Sequence, residues 1–191
     1  MKVIAINGSS RKDGNTAILL NTVLNELSRE DVEVELVQLA GKPLTGCTVC
    51  NKCKENRNRK CAIINDGFND YFTKMIAADG ILLGSPVYFC DLTATMKAFI
   101  ERCGRVSRVN GNLLKRKVGA AVVAVRRAGS VHTLDSINHL FLHAQMIIPG
   151  STYWNMGIGG DRGQVEVDAE GLKTMQNLGK NMAWLMKKIY F

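Results

Sequence analysis

The sequence lacks any hydrophobic run long enough to cross a membrane. Its purely apolar stretches are short, and none approaches the roughly 20 residues that span a bilayer. No repeat, low-complexity tract or linker interrupts the 191 residues, of which 46% are hydrophobic. We therefore expect a single globular domain over residues 1–191 and no membrane partner. An apolar signal region after Met1 is also missing, which predicts a cytoplasmic protein with reduced thiols.

Acidic side chains and aromatic rings are both scarce. Asp and Glu number 17 against 25 Lys and Arg, which gives a net charge of +8 at pH 7. This excess predicts an anionic partner, such as nucleic acid, a phosphate-bearing cofactor or an acidic electron-transfer protein. Aromatic residues make up only 6% of the chain, and the basic residues are not gathered on one predicted helix. Both observations argue against a nucleic-acid partner.

Four of the six cysteines follow the spacing C-x2-C-x2-C-x7-C, as Cys47, Cys50, Cys53 and Cys61. Three thiols at every third position suit an iron–sulfur cluster, in which each sulfur binds its own iron. Zinc fits less well, because structural zinc usually takes its ligands from two separated pairs. Free cysteines without a metal are the remaining alternative.

The other two cysteines, Cys90 and Cys103, match no ligand pattern. We interpret Cys90 as a small buried hydrophobic residue, and the alternative is a position near a bound cofactor.

Strand-like and helix-like patterns alternate along the chain, as in a parallel sheet covered on both faces. Strands are predicted at residues 3–6, 32–37, 80–83 and 118–125, the second of them at an edge because its apolar residues alternate. Helices are predicted after the first strand, after Asp66, and over 93–102, 131–145 and from 170 onward. The order predicts an α/β fold with a doubly wound, five-stranded parallel sheet of the flavodoxin-like type. A cysteine-rich insertion at about residues 41–66 follows the second strand. Ligands of such sheets bind at the carboxyl ends of the strands.

The loop after the first predicted strand has the composition of a phosphate site. Its glycines permit a tight turn, its short polar side chains supply hydrogen-bond donors, and the following helix adds free N–H groups. The candidate ligands are Ser9, Ser10, Arg11, Asn15 and Thr16. The loop lacks both the G-x4-G-K-S/T and the G-x-G-x-x-G pattern. The alternative is a capped turn without a ligand.

Two further loops are expected at the same edge of the sheet. One contains Pro86, Val87, Tyr88 and Phe89, whose rigid turn and two rings can pack on a flat heterocycle. The other contains Arg126, Arg127 and Gly129, whose guanidinium groups can stabilise a reduced ring system. The alternatives are aromatic rings in the core or at the rim, and arginines that pair with surface carboxylates.

These loops resemble the FMN-binding loops of the NADPH-dependent FMN reductase superfamily, on the segments Gly8-Ser9-Ser10-Arg11, Gly14-Asn15-Thr16 and Ser85-Pro86-Val87-Tyr88-Phe89. The cysteine pattern resembles the iron–sulfur flavoproteins of that superfamily, which occur in anaerobic bacteria and archaea. The resemblance covers nearly the whole chain.

The resemblance implies a role for each candidate residue. Ser9, Ser10, Arg11, Asn15 and Thr16 would hold the FMN phosphate, and Pro86, Val87, Tyr88 and Phe89 would border the isoalloxazine ring. Arg126, Arg127 and Gly129 would close the other side of the ring, and Cys47, Cys50, Cys53 and Cys61 would ligate a 4Fe-4S cluster. No catalytic side chain is predicted, because the flavin itself performs the redox chemistry.

The resulting prediction is an FMN-dependent oxidoreductase that passes electrons between a donor such as ferredoxin, a 4Fe-4S cluster and FMN. Positive charge on Lys54, Arg57, Arg59 and Lys60 would favour an acidic ferredoxin. The alternative is a cluster-free, NAD(P)H-dependent reductase of FMN, quinones or metal ions. A homodimer or homotetramer is also expected, with residues 146–160 either at the interface or forming a buried last strand.

Overall fold

The computed structural model of the chain describes residues 1–41 and 43–190. Lys42, in the predicted cysteine-rich insertion, and Phe191, at the end of the predicted domain, lie outside the described residues. The described elements are β1 (Lys2–Asn7), α1 (Asn15–Arg29), β2 (Glu33–Gln38), α2 (Lys52–Asn56), α3 (Phe68–Ala77), β3 (Gly80–Pro86), α4 (Ala94–Val109), β4 (Val118–Val125), α5 (Ser130–His143), β5 (Met156–Ile158) and α6 (Ala169–Tyr190), with a 3-10 turn over Gln164–Val167.

The five strands form one parallel sheet in the order β2-β1-β3-β4-β5. The predicted fold class is therefore confirmed, and β2 lies at the edge as its alternating sequence predicts. From β1 the chain moves outward to β2 and then returns to the other side of β1 to form β3. This reversal opens a crevice at the carboxyl ends of β1 and β3, which is where doubly wound sheets bind ligands.

Helices cover both faces of the sheet, and the alternation of side chains along β1 shows how. Val3 and Ala5 belong to the core under α1 and α6, whereas Ile4 and Ile6 belong to the core under α3, α4 and α5. All four are fully buried, which explains why this strand is apolar at successive positions. None of the described helices is long and apolar enough to span a membrane.

Helix α4 is longer than its sequence pattern predicts, and this extension positions the cysteine segment. The predicted end was Arg102, but the helix continues to Val109 because Cys103 and Val106 prolong its buried stripe. The short α2, inside the cysteine segment, was not predicted. It packs against α4, so the cysteines lie on the same face of the sheet as α4.

Candidate functional site

Loops from four strands meet in a cavity of about 140 Å³ at the carboxyl edge of the sheet. Eight of its lining residues were predicted from the sequence: Ser9, Arg11, Asn15, Thr16, Pro86, Val87, Tyr88 and Arg126. The lining also includes Gly14, Ala124, Gly159 and Gly160, whereas the predicted Ser10, Phe89, Arg127 and Gly129 are not part of it. The structure therefore brings the three predicted loops together and adds a fourth, which follows β5.

The loop after β1 is held in place by the neighbouring strand and by its own side chains. The Gly8 N–H donates to the Gly84 carbonyl at 2.8 Å. A side chain on Gly8 would come within 2.8 Å of Met96 Cε, so this close approach requires glycine. Ser9 is buried, and its Oγ accepts a hydrogen bond from the Arg11 N–H at 3.1 Å. The neighbouring strand and the loop's own side chains therefore form the predicted turn.

Thr16 provides an observation that tests whether an anion fits this loop. Its Oγ1 is buried and has no hydrogen-bond partner among the residues that the structure describes. Thr16 lies in the first turn of α1, whose N-cap, Gly14, provides no side-chain hydrogen bond. Unpaired N–H groups and the positive end of the helix dipole favour a phosphate at such a position. A buried hydroxyl without a partner is costly, and a phosphate oxygen would satisfy it.

The side chain of Asn15 binds a neighbouring loop, whereas the sequence predicts it as a phosphate ligand. Its side-chain amide donates to the carbonyls of Gly159 and Asp161, at 2.9 Å in each case. The side chain therefore ties the start of α1 to the loop after β5. Only the backbone N–H of Asn15 remains for an anion.

The glycines of this last loop were missed in the sequence. Gly159 and Gly160 directly follow β5, so the rule that ligands bind at the carboxyl ends of strands could have identified them. A side chain on Gly159 would come within 2.7 Å of the Val165 N atom. The sequence left residues 146–160 open between an interface and a last strand, and the structure places the three-residue strand β5 within that range.

A tight turn at residues 88–91 carries the two predicted aromatic rings. Tyr88 and Asp91 exchange two backbone hydrogen bonds, of 2.8 and 3.2 Å, and Phe89 and Cys90 both have positive φ angles, of 45° and 72°. Non-glycine residues adopt this conformation infrequently, and such strain often occurs at functional sites. Tyr88 is 45% exposed and Phe89 is fully exposed, so neither ring is part of the core.

The interpretation of Cys90 as a buried hydrophobic residue is wrong, because the structure exposes it. Cys90 lies at the tip of the turn and has a positive φ of 72°. Gly129 contacts this turn from the neighbouring loop. A side chain on Gly129 would meet Val87 Cγ1 at 2.9 Å and Cys90 Cα at 3.4 Å.

The two arginines after β4 are both exposed and are placed differently. Arg126 lines the 140 Å³ cavity and also a wider neighbouring cavity of about 770 Å³, which extends along the loop after β5. Arg127 lines neither of them. Of the predicted pair, Arg126 is therefore the one placed beside the crevice.

The four cysteines of the predicted metal site line a separate and much smaller cavity of about 20 Å³. Cys47, Cys50, Cys53 and Cys61 share it with Arg102 and Arg105 of α4. Among residues 1–41 and 43–190, no group of three or more His, Cys, Asp or Glu side chains is arranged to hold a metal ion. The thiols therefore surround one cavity, but they do not lie as close together as the ligands of a single tetrahedral ion must.

The cysteine thiols differ in their electrostatic surroundings. Burial raises the pKa of the Cys53 thiol. A hydrogen bond from the Lys52 backbone N–H lowers the pKa of Cys50, which is exposed. Because metals bind the thiolate, the backbone at Lys52 favours the form that a ligand needs. Full burial raises the pKa of Cys103 well above its ordinary value and so disfavours the reactive thiolate.

Helix α4 holds both ends of the cysteine segment through Arg102, which sequence reasoning missed as a site residue. Its side chain is 1% exposed and forms an ion pair with the buried carboxylate of Asp66. The same guanidinium donates to the carbonyls of Thr45 at 3.4 Å and of Ile63 at 2.9 Å. The available signal was a charged residue next to Cys103 on the buried stripe of a helix.

Two more residues of α4 and its C-cap contact the backbone of the segment. Glu101 Oε2 accepts from the Cys47 N–H at 3.3 Å, and Asn110 Nδ2 donates to the Cys53 carbonyl at 3.4 Å. A side chain on Gly46 would approach Glu101 Oε2 to 2.8 Å.

The buried arginine atoms test whether an anionic group fits among the thiols. Arg102 Nε and Arg105 Nε are buried and lack hydrogen-bond partners within the described part of the chain. Two unpaired cationic donors beside four thiols suit a group that carries negative charge on sulfur. The residues present therefore fit an iron–sulfur centre.

A doubly wound parallel sheet, with a phosphate-type loop and a glycine-lined crevice where its strand order reverses, defines the flavodoxin-like class of α/β proteins. The model of the family described as NADPH-dependent FMN reductase matches residues 1–161, and the chain belongs to that family. The resemblance noted in the sequence is thereby confirmed. The protein is a flavin-dependent oxidoreductase with FMN as its cofactor.

Known proteins similar to this chain include several named iron–sulfur flavoproteins. One from Methanocaldococcus jannaschii is 42% identical over 196 residues, which is 99% of each chain. Another from Methanosarcina thermophila is 28% identical over 197 residues, covering 99% of this chain and 97% of the relative. The crystal structure of RosB with bound 8-demethyl-8-formylriboflavin-5'-phosphate has a TM-score of 0.78 at 16% identity, over 99% of this chain and 80% of RosB. At that identity, the likeness to RosB establishes the shared fold.

Proposed function

We propose that this chain is an iron–sulfur flavoprotein that passes electrons between a donor such as ferredoxin, a 4Fe-4S cluster and FMN. The observation that carries the proposal is the shared cavity of Cys47, Cys50, Cys53 and Cys61 on a flavin-binding fold. Relatives at 42% and 28% identity over nearly the whole chain bear the name iron–sulfur flavoprotein, which supports it.

The four thiolates would each bind one iron, and the bound cluster would supply one-electron transfer. The chain's own contribution is to hold the thiols around one cavity. Arg102 joins the two ends of the segment, and Glu101 and Asn110 contact its backbone. A scaffold of this kind reduces the ordering that ligation would otherwise require.

FMN would bind in the crevice with its phosphate on the loop after β1. Arg11, Ser9, Ser10 and the Thr16 hydroxyl would contact the phosphate, together with the backbone N–H groups of the first turn of α1. The isoalloxazine ring would lie along Pro86, Val87, Tyr88 and Phe89. Arg126, Arg127 and Gly129 would close its other side, and Gly159 and Gly160 would border the crevice. The bound flavin supplies the redox chemistry, while the protein orients it and sets its electrostatic surroundings.

An acidic ferredoxin is the partner that the cysteine segment fits best. Lys54, Arg57, Arg59 and Lys60 are all exposed beside the cysteine cavity, and Glu55 is the one acidic residue among residues 54–60. The Arg59 N–H donates to Asn110 Oδ1 at 3.0 Å, which fixes this basic stretch to the end of α4. Positive charge around a redox centre accelerates docking of a negatively charged carrier.

We also infer that the chain self-associates as a homodimer or homotetramer through the segment before β5. Tyr153 and Trp154 are 60% and 53% exposed and border a cavity of about 450 Å³ beside α5. Exposed aromatic rings around an apolar cavity are typical of interfaces. A Trp154→Ser variant should sediment as a smaller species than the wild type, and an unchanged sedimentation coefficient would oppose this interface.

Cofactor analysis of anaerobically purified protein tests the main proposal. We expect about four iron and four sulfide per chain together with FMN. Cys61→Ser should lose iron and sulfide while keeping FMN, and the matched control Cys103→Ser should keep all three, because Cys103 lies outside the cavity. A yellow, iron-free wild type that is reduced by NAD(P)H would instead establish the alternative, a cluster-free NAD(P)H-dependent reductase of FMN, quinones or metal ions.

Electron transfer from reduced ferredoxin tests the docking surface. The rate should fall as salt rises, and it should fall further in the double variant Arg57→Glu, Arg59→Glu. The control is Lys173→Glu, Lys188→Glu, which makes the same change of charge on exposed positions of α6, across the sheet. Equal rates in both double variants would exclude this surface.

A further inference from the structure

Helix α4 presents a second arginine to the cysteine cavity, one turn after Arg102. We propose that Arg105 is a positioning and tuning residue, whose Nε–H donates a hydrogen bond to sulfur of the centre held by the four cysteines and thereby raises its reduction potential. The inference rests on the proposed iron–sulfur centre and goes beyond it, by assigning the residue that sets the potential.

The burial of Arg105 Nε is the first observation that supports this role. The Arg105 side chain lines the cavity together with all four cysteines. Its Nε is fully buried, yet no hydrogen-bond partner exists for it within residues 1–41 and 43–190. Buried N–H groups are nearly always paired in folded proteins, and an unpaired charged donor is especially costly. An acceptor is therefore expected at this position, and sulfur ligated to iron is the acceptor that the cavity would contain.

The other end of the guanidinium is already anchored. Arg105 Nη2 donates to the side-chain oxygen of Asn51, which lies between Cys50 and Cys53. Asn51 has a positive φ of 60° and is the N-cap of α2, so this contact fixes the side chain against the cysteine segment itself. With Nη2 engaged, the Nε–H is still a buried donor without a partner among the described residues.

In the described part of the chain, the positive charge of Arg102 is neutralised by a carboxylate, whereas that of Arg105 is not. Asp66 pairs with Arg102 and neutralises it, and the Arg102 guanidinium also lies 4.1 Å from the centre of the Phe68 ring. Arg105 forms no ion pair with a carboxylate in the described part of the chain. Arg102 therefore holds the segment together, whereas Arg105 contributes an uncompensated positive charge at the cavity.

A positive charge and a hydrogen bond near sulfur both favour the reduced state of an iron–sulfur centre. Reduction adds one electron, which the external donor gives up, and so increases the negative charge that Arg105 stabilises. Removal of Arg105 should make the centre harder to reduce. One lost hydrogen bond to a charged group corresponds to about a tenfold change in the one-electron equilibrium constant, or about 59 mV.

The test is a redox titration of the holoprotein that follows the cluster by electron paramagnetic resonance and the flavin by absorbance. In Arg105→Leu we expect the cluster potential to fall by about 59 mV, with the FMN potential unchanged. Arg105→Lys keeps the charge without the Nε–H and should show a smaller fall. Arg108→Leu removes the same charge from an exposed position on the same helix and should leave both potentials unchanged.

The possible results separate this inference from the proposed function. A wild type with iron and sulfide, in which Arg105→Leu and Arg108→Leu have equal cluster potentials, overturns the tuning role and leaves the iron–sulfur flavoprotein intact. If Arg105→Leu fails to fold or to load the cluster, Arg105→Lys is the deciding variant. A cluster potential in Arg105→Lys equal to that of the wild type would overturn the proposed hydrogen bond. A wild type without iron and sulfide overturns both proposals.

Discussion

Arg102 and Asp66 form a buried ion pair that joins a helix of the core to the end of the cysteine segment. Burial opposes ionisation of Asp66, but hydrogen bonds from Arg102 and from backbone N–H groups outweigh it and hold the pKa of that carboxyl below its ordinary value of 3.8. The backbone carbonyls of Thr45 and Ile63 also accept from the guanidinium, so Nη1 and Nη2 both donate, while Nε has no partner among the described residues. A single charged residue, Arg102, therefore holds the cysteine segment against α4.

Replacing Asp66 by Asn should destabilise the protein strongly at neutral pH. Arg102 would remain buried without a compensating charge, which costs about 3–5 kcal/mol of the free energy of unfolding. Because the folded-state pKa of Asp66 is depressed, its contribution is present above pH 3.8 and is lost as the pH falls through the folded value. The difference between variant and wild type in urea denaturation should therefore shrink below pH 3.8. Asp70→Asn, an exposed change on α3, is the control and should have little effect at either pH.

The two cysteines outside the predicted metal site should differ sharply in reactivity. Cys90 lies exposed on the turn at residues 88–91, whereas Cys103 is fully buried with a raised pKa. Iodoacetamide should alkylate Cys90 in the native protein and leave Cys103 unmodified, as judged by peptide mass spectrometry. Both should react in denaturant. Rapid native labelling of Cys103 would contradict the packing of α4 described above.

At the scale of elements, α4 connects the two sites. Its N-cap, Thr93, accepts from the Met96 N–H at 3.1 Å and donates to the Gly8 carbonyl at 2.8 Å, which places the start of the helix against the phosphate-type loop. The residues that contact the cysteine segment lie in the middle of the helix, as Glu101, and at its C-cap, as Asn110. One rigid helix thus sets the position of the cysteine cavity relative to the FMN crevice.

Thr93→Val should weaken both the helix and the FMN loop. Loss of the cap costs about 1–2 kcal/mol of the free energy of unfolding. The Gly8 carbonyl would also lose its donor, so FMN affinity, measured by quenching of flavin fluorescence, should fall severalfold. Thr93→Ser retains the hydroxyl and should restore both properties. FMN affinity equal to wild type in the valine variant would show that the cap does not support the loop.

At the scale of the whole molecule, the strand order and the net charge act together. The order β2-β1-β3-β4-β5 gathers four loops at one edge, and the charge of +8 suits anionic groups such as a phosphate or an acidic carrier. The cysteine cavity lies under α4 on one face of the sheet, while α6 covers the other face. The exposed surface of α6 therefore lies across the sheet from the cysteines, and charge changes there leave the cysteine cavity untouched.

FMN should stabilise the whole fold in a phosphate-dependent manner. A ligand that binds only the folded state at 100 times its dissociation constant adds about 2.7 kcal/mol to the free energy of unfolding. Thermal unfolding of the flavin-free protein should shift upward with FMN and much less with riboflavin, which lacks the phosphate. Thr16→Val should reduce the FMN shift and leave the riboflavin shift nearly unchanged. Equal shifts for FMN and riboflavin would place the phosphate away from the loop after β1.

Much of the fold could be predicted because buried parallel strands and amphipathic helices leave periodic patterns along the chain. The short β5 and the short α2 leave no such pattern, and the extension of α4 was hidden by two arginines that look like surface residues. The same reasons explain why Gly159, Gly160 and the arginines of α4 were missed at the sites. Cys90 was misjudged because a positive φ angle at a turn cannot be read from a cysteine and its neighbours.

The sequence by itself determined the sheet with its helices, the phosphate-type loop and the spacing of the four cysteines, because these depend on residues that are close along the chain. Only the tertiary structure decided that Asn15 binds the loop after β5, that Thr16 is left with an unpaired hydroxyl, and that Arg102 and Arg105 reach the cysteine cavity. Each of these depends on packing between segments far apart in sequence, and local periodicity carries no information about such contacts.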